Sequence, residues 1–267
     1  MSSNSERTRI VGPVNTGGAV NVSSQSYMQS IAEGDIPNHI LYSKLGYTAA
    51  STVAETTLWN PGTAYVFPTG AISVEAVSTS ASDTSAGTGA RIVHLEYLNA
   101  SYVSKEFDFT MNGATPVAGP TDFFRVNSFH VKTAGSGGKT AGVVSLRLVG
   151  GAATVYSQMP IGATRSRNSV FTVPLGKTFY VQDIHFSMAG TSAGKVARVI
   201  FHSSINPHSV VSTTGLAFWP MYEAMLVDGS IKYDGPPLIL PAKTDMKVSN
   251  IGEAGAFITA YYGGWIE

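Results

Sequence analysis

The sequence predicts an all-β chain with two antiparallel β-sandwich units of jelly-roll-like type and an extended N-terminal arm. Short apolar or alternating runs are separated by turns rich in Gly, Pro, Asp and Asn, without the strand–helix alternation of parallel sheets. Charged residues make up only 13% and glycines number 28, a composition that favours strands and turns over solvated helices. At 267 residues the chain is long enough to bury one large core or two ordinary ones.

A weak internal repeat supports the division into two units. Residues 66–98 contain an apolar strand, a Pro-x-Gly turn, a second strand, a Ser/Thr/Gly loop and a third strand, and residues 172–201 show the same order. The sequence Thr-Ser-Ala-Gly lies in both loops, at 84–87 and 191–194. We therefore predict an arm with an extended segment, a first sandwich and a second sandwich, at residues 1–56, 57–155 and 156–267.

The N-terminal region is predicted to be an arm that needs a partner. Residues 1 to about 24 hold too few apolar side chains to fold alone, so the arm is expected to order only by adding a strand to a neighbouring subunit. The apolar residues available for that contact are Ile10, Val11, Val14, Val20 and Val22. A short helix is predicted over 24–33, with Ser24 as N-cap and Gly34 as stop. The segment 37–57 lacks clean periodicity and is predicted to lie extended over the first sandwich.

Local signals predict further strands and turns. Residues 103–109 alternate between apolar and polar side chains, as a half-buried strand does, and Asn112-Gly113 behind them is a hairpin signal. The other predicted features are strands at 123–132 and 143–149, a mixed connection at 150–168, a hairpin at 226–231, and either a loop or one helical turn at 218–222.

Charge and composition exclude several classes of partner. The formal net charge is zero, so no basic field attracts nucleic acid or an anionic membrane surface. No apolar run is long enough for a transmembrane helix, and the polar N-terminus lacks the pattern of a signal peptide. Cysteine is absent, which removes disulfides and thiolate metal ligands. We expect a protein made in a cytoplasm, with no nucleic-acid and no membrane partner.

No stretch carries a recognisable catalytic, cofactor-binding or metal-binding motif, so we predict no catalytic residue, no cofactor and no metal ligand. The six histidines lack metal-ligand spacing and are interpreted as strand residues, while a metal site assembled across strands stays open. Glu106 and Asp108 share a strand face. They could be the acid/base pair of a polysaccharide-degrading enzyme, or they could belong to an exposed polar face, and the second interpretation is favoured. Asp83 alone provides too few oxygens for a calcium loop.

Two groups of residues are candidates for partner contacts. Arg165 and Arg167 lie two positions apart and could meet a phosphate group, or they could be solvated surface. Trp219 and Tyr222 belong to a set of late aromatic residues that also includes Tyr261, Tyr262 and Trp265. Aromatic rings on one face could stack on sugars, but a core or subunit-interface role is favoured.

The pattern of the whole chain resembles a family of structural proteins of tailed bacteriophages. Residues 60–68, NPGTAYVFP, and 83–91, DTSAGTGAR, resemble strand and loop segments of these proteins. Residues 171–180, FTVPLGKTFY, are similar to the strand opening YTVPAGKTAYL of phage β-sandwich proteins. Residues 240–245, LPAKTD, followed by a terminal aromatic strand, also resemble segments of these proteins. The resemblance covers roughly residues 33–267. A repetitive shaft sequence is absent, which disfavours a fibre.

The resemblance implies a non-enzymatic virion component, made in the host cytoplasm. A capsid decoration or cement protein is favoured, which would stabilise the head by bridging capsid subunits. It would then be a homo-oligomer, with a trimer favoured, and would contact the major capsid protein or other virion proteins. The alternative is a tail, neck or baseplate component with a receptor- or glycan-binding role.

Overall fold

The computed structural model describes residues 8–10, 22–24, 26–49, 51–190, 194–205 and 218–267. These described residues form an all-β fold, with 52% strand and 3% helix, and their sheets are antiparallel, which confirms the predicted fold class at this level. The elements in chain order are β1 (Thr8–Ile10), β2 (Val22–Ser24), α1 (Tyr27–Ala32), β3 (Ile40–Thr48), β4 (Thr56–Thr57), β5 (Val74–Ser78), β6 (Ala90–Leu98), β7 (Ser104–Thr110), β8 (Val117–Ala118), β9 (Arg125–Ala134), β10 (Val144–Leu148), β11 (Gly151–Met159), β12 (Phe171–Thr172), β13 (Phe179–Gly190), β14 (Ala197–Ser203), β15 (Trp219–Leu226), β16 (Gly229–Lys232), β17 (Leu238–Leu240), β18 (Asp245–Gly252) and β19 (Ala256–Ile266).

Four larger sheets contain most of the strands. Sheet 1 has the order β11-β10-β5-β8, and sheet 2 has the order β7-β6-β9. Sheet 3 has the order β16-β13-β19-β3, with β17 also paired to β13; sheet 4 has the order β12-β18-β14-β15, with β4 also paired to β18. The four sheets together resemble the blades of a four-bladed β-propeller, and the division into two sandwich units stays a prediction.

Two hydrophobic clusters lie between these sheets. One draws on sheets 1 and 2, where Leu146 and Leu95 are completely buried. The other draws on sheets 3 and 4, where Phe186 and Phe201 are completely buried. Alternation explains these positions, because every second residue of a strand faces the same side of its sheet.

A buried ion pair joins the two clusters. Arg125 of β9 donates from Nε and from one terminal nitrogen to the two carboxylate oxygens of Asp245 on β18, at 2.8 and 3.0 Å. The side chains are 2% and 1% exposed. The guanidinium also donates to the Pro68 carbonyl at 2.6 Å and lies 3.7 Å from the ring centroid of Phe124. Sheet 2 is therefore fixed to sheet 4 by a charge-assisted bidentate contact.

Asn127, two residues after Arg125 on β9, forms a second junction between sheets. Its side-chain amide donates to the Thr172 carbonyl and accepts from the Thr172 N–H, each at 3.0 Å. Its own backbone carbonyl accepts from the Tyr42 hydroxyl at 3.0 Å and from Lys44 Nζ at 2.6 Å. Sheets 2, 3 and 4 therefore meet at one buried residue.

The N-terminal predictions are partly wrong. The helix begins later than predicted, because Ser26 and not Ser24 caps it by accepting from the Gln29 N–H at 3.2 Å. The stop is confirmed, since Gly34 has φ +78° and donates its N–H to the Ile31 carbonyl. The extended segment does not lie over the first unit; β3 pairs with β19 along its whole length and forms an edge of sheet 3.

Both predicted hairpins are wrong in their pairing, although their turns are present. Gly113 has φ +60°, but β7 pairs with β6, and β8 pairs with β5 in sheet 1. Asp228 and Gly229 have φ +45° and +113°, yet β15 pairs with β14, and β16 pairs with β13 in sheet 3. The turn residues set the reversal of the chain, and burial of each strand's apolar face then selects its sheet.

Two further segments are strands that the sequence did not predict. The region 150–168 was expected to be a mixed connection, and it contains β11, which pairs with β10 through two register shifts. The region 218–222 was expected to be a loop or one helical turn, and it forms the start of β15. The second Thr-Ser-Ala-Gly segment lies mostly outside the described residues.

Candidate functional site

The predicted arm contacts are described only in part. Ile10 of β1 and Val22 of β2 are register partners in a two-stranded ribbon of their own. Val11, Val14 and Val20 lie outside the described residues. The expectation that the arm adds a strand to another subunit stays a prediction.

The late aromatic residues are spread over two sheets and do not form one face. Tyr222 of β15 packs between Phe186 and Tyr233, with ring centroids at 5.4 and 5.1 Å. Trp219 is half-buried at the start of the same strand, opposite Ser203. On β19, three aromatic residues have different environments: Tyr262 is buried in the core, Trp265 stacks on Tyr180 at 5.0 Å, and Tyr261 is exposed.

Glu106 and Asp108 belong to an ion-pair group on the exposed face of sheet 2. Asp108 accepts from Lys132 Nζ at 2.5 Å and contacts His94 Nδ1 at 2.6 Å. These contacts, that of Lys132 first, lower the pKa of Asp108. A general acid needs a carboxyl that holds its proton near neutral pH, so Asp108 is poorly suited to that role. Glu106 is 3.8 Å from His94 and mostly exposed, as the polar-face interpretation predicts.

Asp83 is a structural carboxylate at the base of the first Ser/Gly loop. It is fully buried and accepts from the Ser78 hydroxyl and from the N–H groups of Ala90, Ala141 and Gly142, at 2.5–2.9 Å. Four donors satisfy both carboxylate oxygens. Asp83 therefore connects the loop to the residues that precede β10. Because its carboxylate oxygens are occupied by these hydrogen bonds, it is not available as a calcium ligand.

A buried histidine contact was not predicted from the sequence. His202 Nε2 is 2.7 Å from the Ser249 hydroxyl and 3.4 Å from a Glu55 carboxylate oxygen. In a Ser-His-acid triad the acid contacts the other ring nitrogen, and here Ser249 is also completely buried. Burial first, and then the charge of Lys247, lower the pKa of His202 to about 4; the charges of Glu55, Arg198 and Glu223 also act on it.

A polar concavity lies where β3 meets β9, and we call it the Lys44 pocket. Its volume is about 470 Å³, within the range of small-molecule sites. It is lined by Leu41, Tyr42, Ser43 and Lys44 of β3, Glu96 of β6, Asn127, Ser128, Phe129, His130 and Val131 of β9, and Thr164, Arg165 and Ser166. Four separate segments of the chain contribute to it.

Lys44 is the half-buried cation of the pocket. Its ammonium group donates to the Asn127 carbonyl at 2.6 Å. Burial first, and then the positive charge of Arg165, lower the pKa of Lys44 to about 7, while the carboxylate of Glu96 opposes that shift. The neighbouring Tyr42 hydroxyl donates to the same carbonyl, and burial raises its pKa.

His130 connects the pocket to the ion-pair group of sheet 2. Its ring lies 5.1 Å from that of His94, and its Nδ1 is 3.1 Å from the Ser128 hydroxyl. Burial first, and then the charge of His94, lower its pKa below the usual value. His130 is therefore a neutral hydrogen-bonding group at pH 7.

The two arginines predicted to meet phosphate have different positions. Arg165 lines the pocket, and its backbone forms an isolated bridge with His130. Arg167 instead lies over the ring of Tyr47 at 5.2 Å. Neither Arg165 nor Glu96 has an ion-pair partner within 4 Å among residues 26–49, 51–190, 194–205 and 218–267. The prediction of an anion contact therefore stays possible for Arg165, which lies in a concavity.

The described residues contain no cluster of His, Asp and Glu suited to a metal ion, and none of their helices has the length and apolar character to cross a membrane. Comparison with protein-family models, with curated proteins and with solved structures found no match for this chain.

Proposed function

We propose that the protein is a non-enzymatic structural component of a tailed-bacteriophage particle, most specifically a capsid decoration or cement protein. In this proposal the paired sheets act as two rigid sandwich units, held together by the Arg125–Asp245 pair, and they bridge neighbouring capsid subunits. The similarity of the strand openings to those of phage β-sandwich proteins supports the virion assignment. The ion-pair contacts of Asp108 with Lys132 and His94 support the non-enzymatic part, because they favour the polar-face interpretation over a general-acid role.

The observation that carries the assembly role is an exposed apolar face on sheet 3. Leu41 and Leu45 of the edge strand β3 and Phe257 and Tyr261 of β19 are each 38–40% exposed. Leu45 and Tyr261 are register partners, and alternation places all four on the outer side of the sheet. Exposed apolar groups beside an open sheet edge are typical of surfaces that another protein covers.

Helix α1, which follows the predicted arm in the sequence, lies at the border of this face. It packs on β3 and β19, and the ring of Tyr27 contacts that of Trp265 with centroids 5.1 Å apart. In this proposal the arm, most of which lies outside the described residues, contacts a second subunit while the first covers the apolar face. Such a combination adds buried area at a seam between subunits, which is how a cement protein stabilises a shell. The same geometry supports a homo-oligomer.

The experiment compares particle attachment of two matched surface variants. Particles that lack the protein are incubated with purified wild type, with Leu45→Asp/Tyr261→Asp, or with Met225→Asp, which places a charge at a 61% exposed residue of β15 in sheet 4. We expect the double variant to lose attachment and the Met225 variant to keep it. Particles without the protein should also open at a lower temperature. Equal opening temperatures, or attachment of the double variant, would exclude the cement role.

A second candidate function is a tail, neck or baseplate component that binds a receptor or glycan, and the Lys44 pocket favours it. A cement protein needs only contact surfaces for its neighbours. A concavity of about 470 Å³ lined with polar groups is instead typical of proteins that recognise a small ligand. Counting copies per particle by quantitative mass spectrometry separates the candidates. A copy number similar to that of the major capsid protein supports the head, and a few copies support the tail.

A further inference from the structure

We propose that the Lys44 pocket binds a sugar that carries a carboxylate, that is, a small anion with several hydroxyl groups. The proposal names the ligand class for the glycan-binding candidate function and rests on that candidate's pocket, and it does not depend on the cement role. It rests on the charges at the pocket, on its hydrogen-bonding groups, on its size, and on the energetic cost of placing a lysine there.

The charges select a ligand with one negative charge. Lys44 and Arg165 are both cationic, and the ammonium contacts only a neutral carbonyl while the guanidinium has no acidic partner among the described residues. Glu96 is the carboxylate of the pocket. Two cations and one carboxylate leave one net positive charge when Lys44 is protonated. A carboxylate matches that charge, and Arg–carboxylate contacts are strong and directional. Inorganic phosphate is mostly a monoanion at pH 6 and matches the charge, but it lacks the sugar hydroxyl groups that the remaining lining can bind.

The remaining lining suits hydroxyl groups. Ser128, Thr164 and Ser166 present hydroxyls that both donate and accept, and Glu96 and neutral His130 can accept from a sugar hydroxyl. A site with a few placed polar groups and about 470 Å³ of space accommodates a monosaccharide with room for ordered water.

The charge of Lys44 is costly where it lies, although the hydrogen bond of its ammonium group to the Asn127 carbonyl helps to join β3 to β9. Burial and the charge of Arg165 both disfavour the ammonium form in the free protein. A charged group held in surroundings that disfavour its charge is typical of a functional site. A bound carboxylate removes the conflict by giving both cations a partner.

The test is a binding titration of the full chain with defined probes. Galacturonate and glucuronate are compared with galactose, glucose and inorganic phosphate at pH 6, where Lys44 is mostly protonated, by calorimetry and by amide chemical-shift changes. We expect at least one uronate to bind and its neutral counterpart to bind about tenfold or more weakly, the loss expected for one charge-assisted contact. Phosphate should not compete with the bound uronate.

Three variants locate the site. Lys44→Met and Arg165→Gln should each weaken uronate binding about tenfold or more, with unchanged circular dichroism. Arg167→Gln, two residues from Arg165 but packed on Tyr47, should bind as wild type does. Absence of uronate binding at millimolar concentration would overturn the proposal. So would phosphate binding in place of uronate, or uronate binding that survives both pocket substitutions. Failure of the particle-attachment experiment would leave this result untouched.

Discussion

Arg125→Met removes the cation from the buried pair that joins sheet 2 to sheet 4. The substitution leaves Asp245, which is 1% exposed, with the Thr172 hydroxyl at 2.5 Å but without two N–H donors. It also removes the donor to the Pro68 carbonyl. Removing one member of a buried pair typically costs about 3–5 kcal/mol, because the remaining charge is left uncompensated. We therefore expect the free energy of unfolding to fall by about that amount.

Urea denaturation followed by intrinsic fluorescence measures this loss. With an m-value of about 2–3 kcal/mol/M, the unfolding midpoint should fall by roughly 1–2 M. Because the pair links the two hydrophobic clusters, the transition should also broaden or divide into two steps. Lys105→Ala is the matched control, since it breaks the exposed Lys105–Asp122 pair and should cost less than about 1 kcal/mol.

A compensating variant separates charge from packing. Arg125→Met/Asp245→Leu removes both charges, and apolar replacement of a buried pair is often neutral, so the double variant should recover much of the lost stability. If Arg125→Met costs no more than Lys105→Ala, the pair does not hold the sheets together. If the double variant is worse than the single one, the hydrogen bonds and not the orphaned charge account for the loss.

Three further predictions concern buried or half-buried ionisable groups. Asp83→Ala leaves four donors without an acceptor and should lower the free energy of unfolding by at least about 3 kcal/mol in a thermal or urea melt. The control Asp234→Ala, at an exposed residue, should cost under about 0.5 kcal/mol. Similar losses for the two variants would contradict a structural role of Asp83. Burial lowers the pKa of His202 to about 4 in the folded protein, against 6.5 in the unfolded chain, so the unfolded chain binds more protons between these two pH values. The free energy of unfolding should therefore fall by up to about 3 kcal/mol as the pH drops from 6.5 to 4, and His202→Gln should make this fall smaller. The same pH dependence in His202→Gln and wild type would contradict the assignment to His202. Uronate binding should weaken as the pH rises from 6 to 8, because Lys44 of the ligand-free protein loses its proton near pH 7 while His130 is neutral throughout. An affinity that calorimetry finds to be independent of pH would argue against a charged Lys44 in the complex.

The strands with clear alternation were predictable to within one or two residues at most ends. β7 was expected at 103–109 and spans Ser104–Thr110, and β10 was expected at 143–149 and spans Val144–Leu148. Local patterns worked there because each strand has one buried and one polar face. β11 was missed because its Gly-Ala-Ala-Thr start has little apolar character and its pairing with β10 is irregular. β3 was misplaced because its outer side carries exposed Leu41 and Leu45 while its inner side carries Lys44.

The Lys44 pocket could not have been assembled from sequence. Its charged residues come from β3, β6 and the segment after β11, and they are brought together only by strand pairing across distant parts of the chain. Arg165 was predicted as an anion contact from its neighbourhood alone, and nothing in the sequence distinguished it from Arg167. A half-buried lysine has no local signature, since the groups that contact it or shift its pKa, Asn127, Arg165 and Glu96, lie on distant segments of the chain.

The pocket and the rigidity of the molecule depend on the same residue. The side chain of Asn127 holds β12 of sheet 4, and its carbonyl receives the hydrogen bonds of Tyr42 and Lys44 from sheet 3. A ligand that contacts both Lys44 and the β9 side of the pocket is therefore bound by two sheets at once and favours the state in which they are joined. A ligand at about 100 times its Kd adds about 2.7 kcal/mol to the stability of the state that binds it. Since this increment is comparable to the loss expected from breaking the Arg125–Asp245 pair, ligand binding at the pocket should restore much of the stability of Arg125→Met, provided that the junction and the pocket form one cooperative unit.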